Sequence, residues 1–409
     1  MLRAVPGVAM FTRWRRPDIP SRHSTPIPVP FMRPHWILLA AVITSALEGC
    51  AHNPAPRHSL GDTHWPLGNF PHHVTVTDLN RDKIPDLVIP NAGDQRVTVL
   101  LGDGQGGFLS NHHYPTGIGP SWSDAADFDG DGRMDLVVAN TGASSLTLYF
   151  GDGRGGLERR RDVEGLTPVS SLAAVDVNRD GRPDVVIAEP RHARLQVLLN
   201  QNGRDFSPGA AVAVAEAPHI LDRVDLNKDG WEDLVVGSLV ANRLEMVLNS
   251  ERGMDKVDIR AEVGRYPHYR AYGDWNGDGR MDLAVTVSGE ESIQVFLASA
   301  KGGWEAGELY PCGINPHGLV SADFDGDGHL DLAVANRTSQ DVMVFLGDGK
   351  GGFWHGAPIP TGLDVISLAQ ADFNRDGKAD LALISAGSDS LIFWTGRGDG
   401  EFDPWRFPR

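Results

Sequence analysis

Acidic and amide side chains recur in a nine-residue stretch, at a spacing that suits a metal ion. In its second copy the stretch runs from Asp127 to Asp135, with carboxylates at positions 1, 3, 5 and 9 and a glycine, Gly132, at position 6. Calcium takes about six to eight oxygen ligands, mostly carboxylates and carbonyls, and glycine permits the positive φ of a sharp turn. The stretch therefore has the chemistry of a calcium loop.

This acidic stretch occurs seven times with a constant period of 49 residues (127 − 78 = 49). A fixed period of about 20–50 residues indicates a repeat architecture. The first aspartates of the copies are Asp78, Asp127, Asp176, Asp225, Asp274, Asp323 and Asp372.

The segments on either side of the acidic stretch exclude an EF-hand. An EF-hand needs a glutamate at position 12 and two flanking helices, whereas position 12 is apolar in every copy, as in Ile89 and Val138. The flanks are short apolar runs, such as residues 136–139, bounded by Gly, Asn and Asp. Such runs are typical of strands, so each loop is predicted to join two β-strands.

Each unit contains four predicted strands, which points to a β-propeller. In the second unit they are residues 123–128, 136–140 and 145–150, and a weaker strand after the glycine-rich turn 151–156. Four-stranded units repeated about four to eight times around an axis form propellers. The prediction is an all-β, seven-bladed β-propeller with four antiparallel strands per blade over residues 65–409.

An open solenoid is the alternative to a closed ring. Residues 405–409 occupy the repeat position of residues 62–66 (409 − 343 = 66), so the chain ends where the next turn would begin. This favours closure and leaves open which terminus supplies the last outer strand.

The combined motifs resemble the FG-GAP/VCBS repeat family, a wider group that includes the integrin α-subunit propeller. They are the acidic stretch, the run Leu-Val-Val-Ala-Asn at 136–140 and the turn Gly-Asp-Gly-x-Gly-Gly at 151–156. The resemblance covers about residues 65–409. It implies calcium held by the side chains at positions 1, 3, 5 and 9 and by the backbone carbonyl at position 7.

The resemblance places up to seven Ca²⁺ ions on this chain. Lys83 replaces the glycine of the first loop, so the site from Asp78 to Asp86 is predicted to be the weakest. Aspartate-rich turns without an ion are the alternative. The predicted side-chain ligands are Asp78, Asn80, Asp82, Asp86, Asp127, Asp129, Asp131, Asp135, Asp176, Asn178, Asp180, Asp184, Asp225, Asn227, Asp229, Asp233, Asp274, Asn276, Asp278, Asp282, Asp323, Asp325, Asp327, Asp331, Asp372, Asn374, Asp376 and Asp380.

The N-terminal region has the layout of an export signal. Residues 1–31 are interpreted as lying upstream of the true start, residues 32–50 as a signal peptide, and residues 51–64 as a proline-rich tether. An apolar stretch over 36–47 precedes Cys50, and the residues before this cysteine resemble a bacterial lipobox. The prediction is a lipid-anchored or secreted protein of the cell envelope (periplasm, outer membrane or cell surface), acylated at Cys50. An ordinary signal peptide with an incidental cysteine is the alternative.

The net charge of −17 is accounted for largely by the acidic loops. Six arginines and two acids give residues 1–49 a charge of +4, so the remainder carries −21, and seven Ca²⁺ would bring it to −7. The chain has no basic stripe, so nucleic acid is excluded as an expected partner. Membrane association is expected only through the lipid anchor, and the propeller is expected to be a monomer.

A second repeated feature precedes the first strand of each unit. Four copies have Pro-His at one repeat position, and the loop must lie on the face opposite the acidic loops, because one strand separates the two. Histidines around a channel mouth could bind a transition metal or an anionic ligand, and aromatic residues could stack on sugars. A favourable start for a strand is the plainer interpretation of Pro-His. The candidate ligand residues are His72, His219, His268, His317, Tyr266, Tyr269, Trp122 and Tyr310.

No long insertion breaks the 49-residue repeat to form a deep active site. A binding or adhesion-type module for a glycan or protein ligand needs only the face of a rigid ring, and it is the preferred prediction. The alternatives are a secreted propeller enzyme, such as a polysaccharide lyase or another carbohydrate-active enzyme, and a purely structural envelope component. No non-repeated carboxylate pair is evident in the sequence, so no catalytic residue is predicted.

Overall fold

The structure, a computed structural model, describes residues 63–251, 253–254, 257 and 259–406. The predicted signal peptide, Cys50 and nearly all of the predicted tether lie outside these residues. A 3₁₀ turn occupies Pro190–His192. The strands are, in chain order, β1 (His64–Pro66), β2 (Thr75–Thr77), β3 (Asp86–Asn91), β4 (Arg96–Gly102), β5 (Phe108–Pro115), β6 (Pro120–Ala126), β7 (Asp135–Asn140), β8 (Ser145–Gly151), β9 (Leu157–Val163), β10 (Ser171–Val175), β11 (Asp184–Glu189), β12 (Arg194–Asn200), β13 (Phe206–Ala213), β14 (Pro218–Val224), β15 (Asp233–Ser238), β16 (Arg243–Val247), β17 (Ile259–Glu262), β18 (Pro267–Gly273), β19 (Asp282–Val287), β20 (Ser292–Ala298), β21 (Trp304–Pro311), β22 (Pro316–Ala322), β23 (Asp331–Asn336), β24 (Asp341–Gly347), β25 (Phe353–His355), β26 (Ile359–Pro360), β27 (Val365–Ala371), β28 (Asp380–Ser385), β29 (Ser390–Gly396) and β30 (Phe402–Pro404).

The strands form seven antiparallel sheets, one for each repeat unit. Blades 1 to 5 are β2–β5, β6–β9, β10–β13, β14–β17 and β18–β21. Blade 6 contains β22–β26, in which the short strands β25 and β26 share the outer edge of β24. Blade 7 contains β27–β29 with β1 and β30. The predicted seven-bladed propeller is therefore confirmed.

Burial explains why the second strand of each blade is a nearly continuous apolar run. All six residues of β7 are buried, as are all seven of β8, because neighbouring blades cover both faces of the sheet. The outer strand β9 is mostly exposed beyond Leu157. A continuous apolar run is the pattern expected of a strand that is covered on both sides.

The hydrophobic core is divided among the blade interfaces. Six of the seven core clusters join two neighbouring blades, and the seventh joins the second and third blades with Ile220 of the fourth. One of them packs Phe373 and Phe393 of the last blade against Leu87 and Ile89 of the first. This contact closes the ring and rules out an open solenoid.

Both chain ends complete the last blade. β1 pairs with the first half of β29, with His64 opposite Ile392, and β30 pairs with its second half, with Pro404 opposite Trp394. The Leu67 N–H also donates to the Asp389 carbonyl at 2.9 Å. The outer strand that the sequence left unassigned is thus shared between the two termini.

The inner strands define two faces of the ring. Each inner strand begins at a blade-to-blade loop and ends at an acidic loop. The face with the blade-to-blade loops is called the histidine face, and the face with the acidic loops is called the acidic face. The seven residues of β6 span about 20 Å, which separates the two faces.

No helix within the described residues is long and apolar enough to cross a membrane.

Candidate functional site

The last aspartate of each acidic loop is anchored in the protein interior. Asp135 is the first residue of β7 and is 1% exposed. Its Oδ2 accepts a hydrogen bond from the Phe128 N–H and its Oδ1 accepts one from the Gly151 N–H, both at 2.9 Å. The equivalent two bonds occur in all seven blades. The position-9 carboxylates therefore hold the loop to the blade, and their remaining lone pairs stay available.

The other acidic side chains fold the loop on itself. Asp127 Oδ1 accepts from the Gly130 and Asp131 N–H groups at 2.8 and 3.0 Å, and its Oδ2 accepts from Gly132 at 2.8 Å. These bonds fold the loop backbone around the Asp127 carboxylate.

The crowded carboxylates fit a cation. Asp127, Asp129 and Asp135 each place an oxygen within 4.8 Å of the others, and so do Asp323, Asp325 and Asp327. In the first group Asp129 Oδ1 is buried and has no hydrogen-bond partner. An orphaned buried carboxylate oxygen is costly unless a cation neutralises it, so the donor set suits a hard cation.

Burial, with neighbouring carboxylates adding to it, raises the pKa of the position-9 aspartates. For Asp86, Asp135, Asp233, Asp331 and Asp380 the pKa is raised to about 6. The pKa values of Asp184 and Asp282 are raised as well, first by burial and then by adjacent aspartates. A bound cation would favour the charged form and reverse this shift.

The seven loops are not equivalent. Position 3 is an aspartate in the second and sixth loops and an asparagine in the others, where its amide donates to the position-5 aspartate, as from Asn80 to Asp82 at 2.9 Å. In the first loop Lys83 has a φ of 64°, where the glycines of the other loops have positive values such as 82° at Gly132. The positive φ expected at this position is confirmed.

A small chamber lies at the centre of the histidine face. The inner strands of several blades begin with the Pro-His motif, and the histidines converge around a cavity of about 50 Å³. Six of the eight predicted ligand residues line it, together with two apolar residues that were not predicted. The lining residues are His72, Trp122, His219, Ile220, His268, Tyr269, His317 and Ile366.

The chamber walls are stacked rings. The His268 and His317 rings stack with centroids 4.3 Å apart. Trp122 stacks on His73 at 3.7 Å and faces Tyr269 at 6.3 Å. The packed rings give a rigid, mainly apolar wall.

The two remaining predicted ligand residues do not join the chamber. Tyr266 is on the same face but is 52% exposed in the loop before β18. Tyr310 lies on the outer strand β21 and packs edge-on against Phe345 and Phe353 of the next blade. The structure therefore places Tyr310 in a blade interface instead of at the channel mouth.

Burial keeps the chamber histidines neutral. It lowers the pKa of His219 to about 3 and that of His268 to about 4, and it lowers the pKa values of His72 and His317. Charge from Arg337 or Arg270 lowers these pKa values further. His219 and His268 therefore titrate below the range of about pH 5 to 8 that is usual for solvated imidazoles.

Beside the chamber, the inner strands carry an ion-pair network that was not predicted from the sequence. The fully buried guanidinium of Arg270 pairs with Asp222, which accepts from the Tyr272 hydroxyl at 2.9 Å. Across the channel, Arg223 pairs with Asp124 at 3.2 Å. Asp124 and Asp222 share one repeat position, which other blades fill with small or apolar residues such as Ala173, Ala271 and Val320. This departure from the repeat pattern is the sequence signal that could have identified the ion pairs.

These features define the class of protein, a closed seven-bladed β-propeller with one acidic loop per blade. A family model for the FG-GAP-like repeat matches six overlapping pairs of units, at residues 78–138, 127–187, 176–236, 225–285, 274–334 and 323–383. The chain therefore belongs to the FG-GAP repeat family.

No curated protein sequence matches the chain. BBS1N, solved in complex with ARL6DN, is 15% identical, with a TM-score of 0.57 over 82% of this chain and 93% of that chain. Virginiamycin B lyase from Staphylococcus aureus is 12% identical, with a TM-score of 0.54 over 81% and 97% of the two chains. The periplasmic gluconolactonase PpgL of Pseudomonas aeruginosa is 16% identical, with a TM-score of 0.55 over 71% and 86%. At these identities the likeness concerns the fold, which serves proteins of different activities.

Proposed function

We propose that the protein is a calcium-stabilised, extracytoplasmic binding module that takes a glycan or protein ligand on its histidine face. The observation that carries the proposal is the chamber at the centre of that face, in which neutral histidines and aromatic rings from several blades converge. A rigid concave site with few polar groups is the usual form of a ligand site. The acidic face is assigned to calcium, because its carboxylates are held together by backbone bonds and suit a hard cation.

The binding assignment is tested by a glycan array and a metal screen, followed by a double substitution. The change of His268 and Tyr269 to alanine is expected to abolish binding and leave the calcium content near that of the parent. The melting temperature should fall, because Tyr269 packs against two core clusters. The variant could bind normally while changes in the turns at 102–104 and 151–153 abolish binding. That result would show that the ligand binds the acidic face, contrary to the proposal.

Calcium removal tests the other half of the proposal. Each loop would hold its ion through the carboxylates and amides at positions 1, 3, 5 and 9, and an ion that binds only the folded state stabilises it by linkage. Excess chelator is therefore expected to lower the melting temperature sharply, as measured by calorimetry with the metal content checked by mass spectrometry. An unchanged melting temperature in metal-free protein would refute the calcium assignment.

Envelope localisation through Cys50 is proposed from the sequence alone, because Cys50 lies outside the described residues. The Cys50→Ala variant is expected to leave the membrane fraction in a cell-fractionation assay, with the parent as control. Retention of the variant with membranes would show that Cys50 is not the anchor.

A propeller enzyme acting on carbohydrate is the second candidate, favoured by the non-repeated charged groups beside the chamber. Asp222 and Asp124 are each committed to an arginine, so the candidate base is a neutral chamber histidine. Incubation with acidic polysaccharides, with product release followed by chromatography, distinguishes turnover from binding.

A further inference from the structure

The tautomer of the chamber histidines follows from their hydrogen bonding. Nδ1 of His72, His268 and His317 is buried and has no hydrogen-bond partner. A neutral imidazole carries one proton, and a buried N–H without an acceptor is rarer in proteins than an unpaired acceptor. The proton therefore belongs on Nε2. In His268 and His317 this nitrogen remains to face the cavity, whereas the His72 ring also bonds to the Ser121 backbone.

The residues that line the chamber include no acid. The arginines that lower the histidine pKa values are Arg270 and Arg337, and Arg337 is paired with Asp364 at 3.8 Å. Asp222, the nearest acid along the inner strand, is paired with Arg270. Because these arginines are paired with acids, the preference of the chamber follows from its N–H donors, which suit an acceptor such as a carboxylate.

The same geometry disfavours a transition metal. Among the described residues, the groups that bring three ligand atoms within 4.8 Å of one another consist of aspartates, and the chamber histidines form no such group. Two stacked imidazoles, such as His268 and His317 at 4.3 Å, have nearly parallel ring planes at 28°. Their in-plane nitrogens do not converge on one ion as tetrahedral metal sites require.

Size and wall chemistry define the rest of the ligand. A cavity of about 50 Å³ admits one small group and not a whole oligosaccharide. Trp122, Tyr269, Ile220 and Ile366 supply apolar walls beside the donors. A planar or ring-shaped body bearing the negative group would stack against such walls.

We propose that the chamber binds a carboxylate carried on a ring, with the histidine Nε2–H groups donating to the carboxylate oxygens. This inference rests on the proposed binding function of the histidine face. A uronic acid at the end of a glycan and an aromatic carboxylic acid offer the same chemistry, and the experiment distinguishes these two sources.

The first test concerns the protons and needs no ligand. In protein labelled with ¹⁵N-histidine, long-range ¹H–¹⁵N correlation spectra at pH 7 are expected to show the Nε2–H tautomer for His268 and His317. Assignment comes from the single His→Gln variants. A charged ring or an Nδ1–H tautomer at both positions would overturn the proposal, whatever the chamber binds.

The second test measures binding by calorimetry in the calcium-loaded protein. The probes are oligogalacturonate, its methyl ester and benzoate. A hydrogen bond to a charged group contributes enough that the acid is expected to bind about tenfold or more tightly than the ester. Binding of benzoate but not of oligogalacturonate would identify an aromatic acid as the source and support the proposal.

Matched variants test the role of Nε2. Glutamine places an amide nitrogen where Nε2 lies, whereas asparagine reaches only the Nδ1 position. We expect His268→Asn and His317→Asn to weaken carboxylate binding about tenfold or more, and the glutamine variants to retain most of it. His355→Asn, on the exposed strand β25, is the control expected to bind like the parent.

The failures of the two proposals are distinguishable. Equal affinity for acid and ester, or a neutral ligand in the array that binds through His268 and Tyr269, would overturn the carboxylate inference and leave the binding function standing. Absence of any ligand for the histidine face would overturn both.

Discussion

At the residue scale, Lys83 shows how one substitution can weaken a repeated site. It has a positive φ of 64° in a loop position that is glycine in the other six copies. A side chain in this region is strained by about 1–2 kcal/mol, and the ammonium group adds a positive charge near the carboxylates.

We therefore predict that Lys83→Gly raises the free energy of unfolding by about 0.5–1 kcal/mol in chelator, after the entropic cost of glycine. Calcium affinity of the first loop should rise as well. Lys83→Gln is the matched control, since it removes the charge and keeps the strain. Equal unfolding free energies for the two variants in denaturant titrations would contradict the strain argument.

With calcium bound, the chamber histidines contribute to the acid side of the stability profile. Without calcium, the raised pKa values of the position-9 aspartates act in the opposite direction. The histidine pKa is 6.5 when solvated, and about 3 for His219 and about 4 for His268 in the folded protein. Between these values and 6.5 the unfolded chain binds more protons than the folded chain, so their contribution to stability is lost as the pH falls from about 6.5.

Replacement of His219 and His268 by glutamine is expected to flatten this dependence. Each removed histidine should reduce the slope of unfolding free energy against pH by up to about 1.4 kcal/mol per unit. Denaturant titrations between pH 4 and 7 measure the slope. A double variant with the parental slope would indicate that these rings are protonated normally in the folded state.

At the element scale, each acidic loop combines a structural anchor with exposed ligand positions. Asp135 is buried and satisfies the Phe128 and Gly151 N–H groups, whereas Asp131 is exposed and accepts from Arg133 within the loop. The two aspartates are expected to respond differently to removal of calcium.

We predict that Asp135→Ala destabilises the protein by about 2–4 kcal/mol even in chelator, because two buried N–H groups lose their acceptors. Asp131→Ala should have little effect in chelator and lower stability only when calcium is present. The measurement is denaturant unfolding with and without calcium. Similar losses for both variants in chelator would refute the division of roles.

At the scale of the whole molecule, the two chain ends share one outer edge. β1 and β30 pair with opposite halves of β29, and Trp65 and Trp405 pack against the core between the last and first blades. The two strands cover the long edge of β29, so the exposed outer edge of blade 7 consists of two short strands, which limits edge-to-edge aggregation.

A chain that begins at Gly68 lacks β1, and we predict that it loses about 2 kcal/mol or more of stability, from the buried apolar area of Trp65 and Leu67 and the lost pairing. A chain that begins at Thr63 keeps β1 and is the control. Calorimetry of both forms checks the prediction. Identical melting temperatures would show that β30 closes the ring without help from β1.

The repeat, the number of blades, the acidic loops and the placement of the Pro-His motifs opposite them follow from the sequence alone. Each depends on local spacing within 49 residues, and local spacing determines strands, turns and their order. The resemblance of the motifs to FG-GAP repeats pointed to the same fold.

Only the tertiary structure decided which side chains line the chamber and how far their pKa values shift. The chamber combines side chains from different blades, such as Trp122 with Tyr269, and the burial that lowers the pKa of His219 is a property of the assembled ring. The Arg270–Asp222 and Arg223–Asp124 pairs and the packing of Tyr310 likewise join residues from different strands or blades. Desolvation and contacts between distant residues carry no periodic signal, because they depend on which side chains meet once the ring has closed.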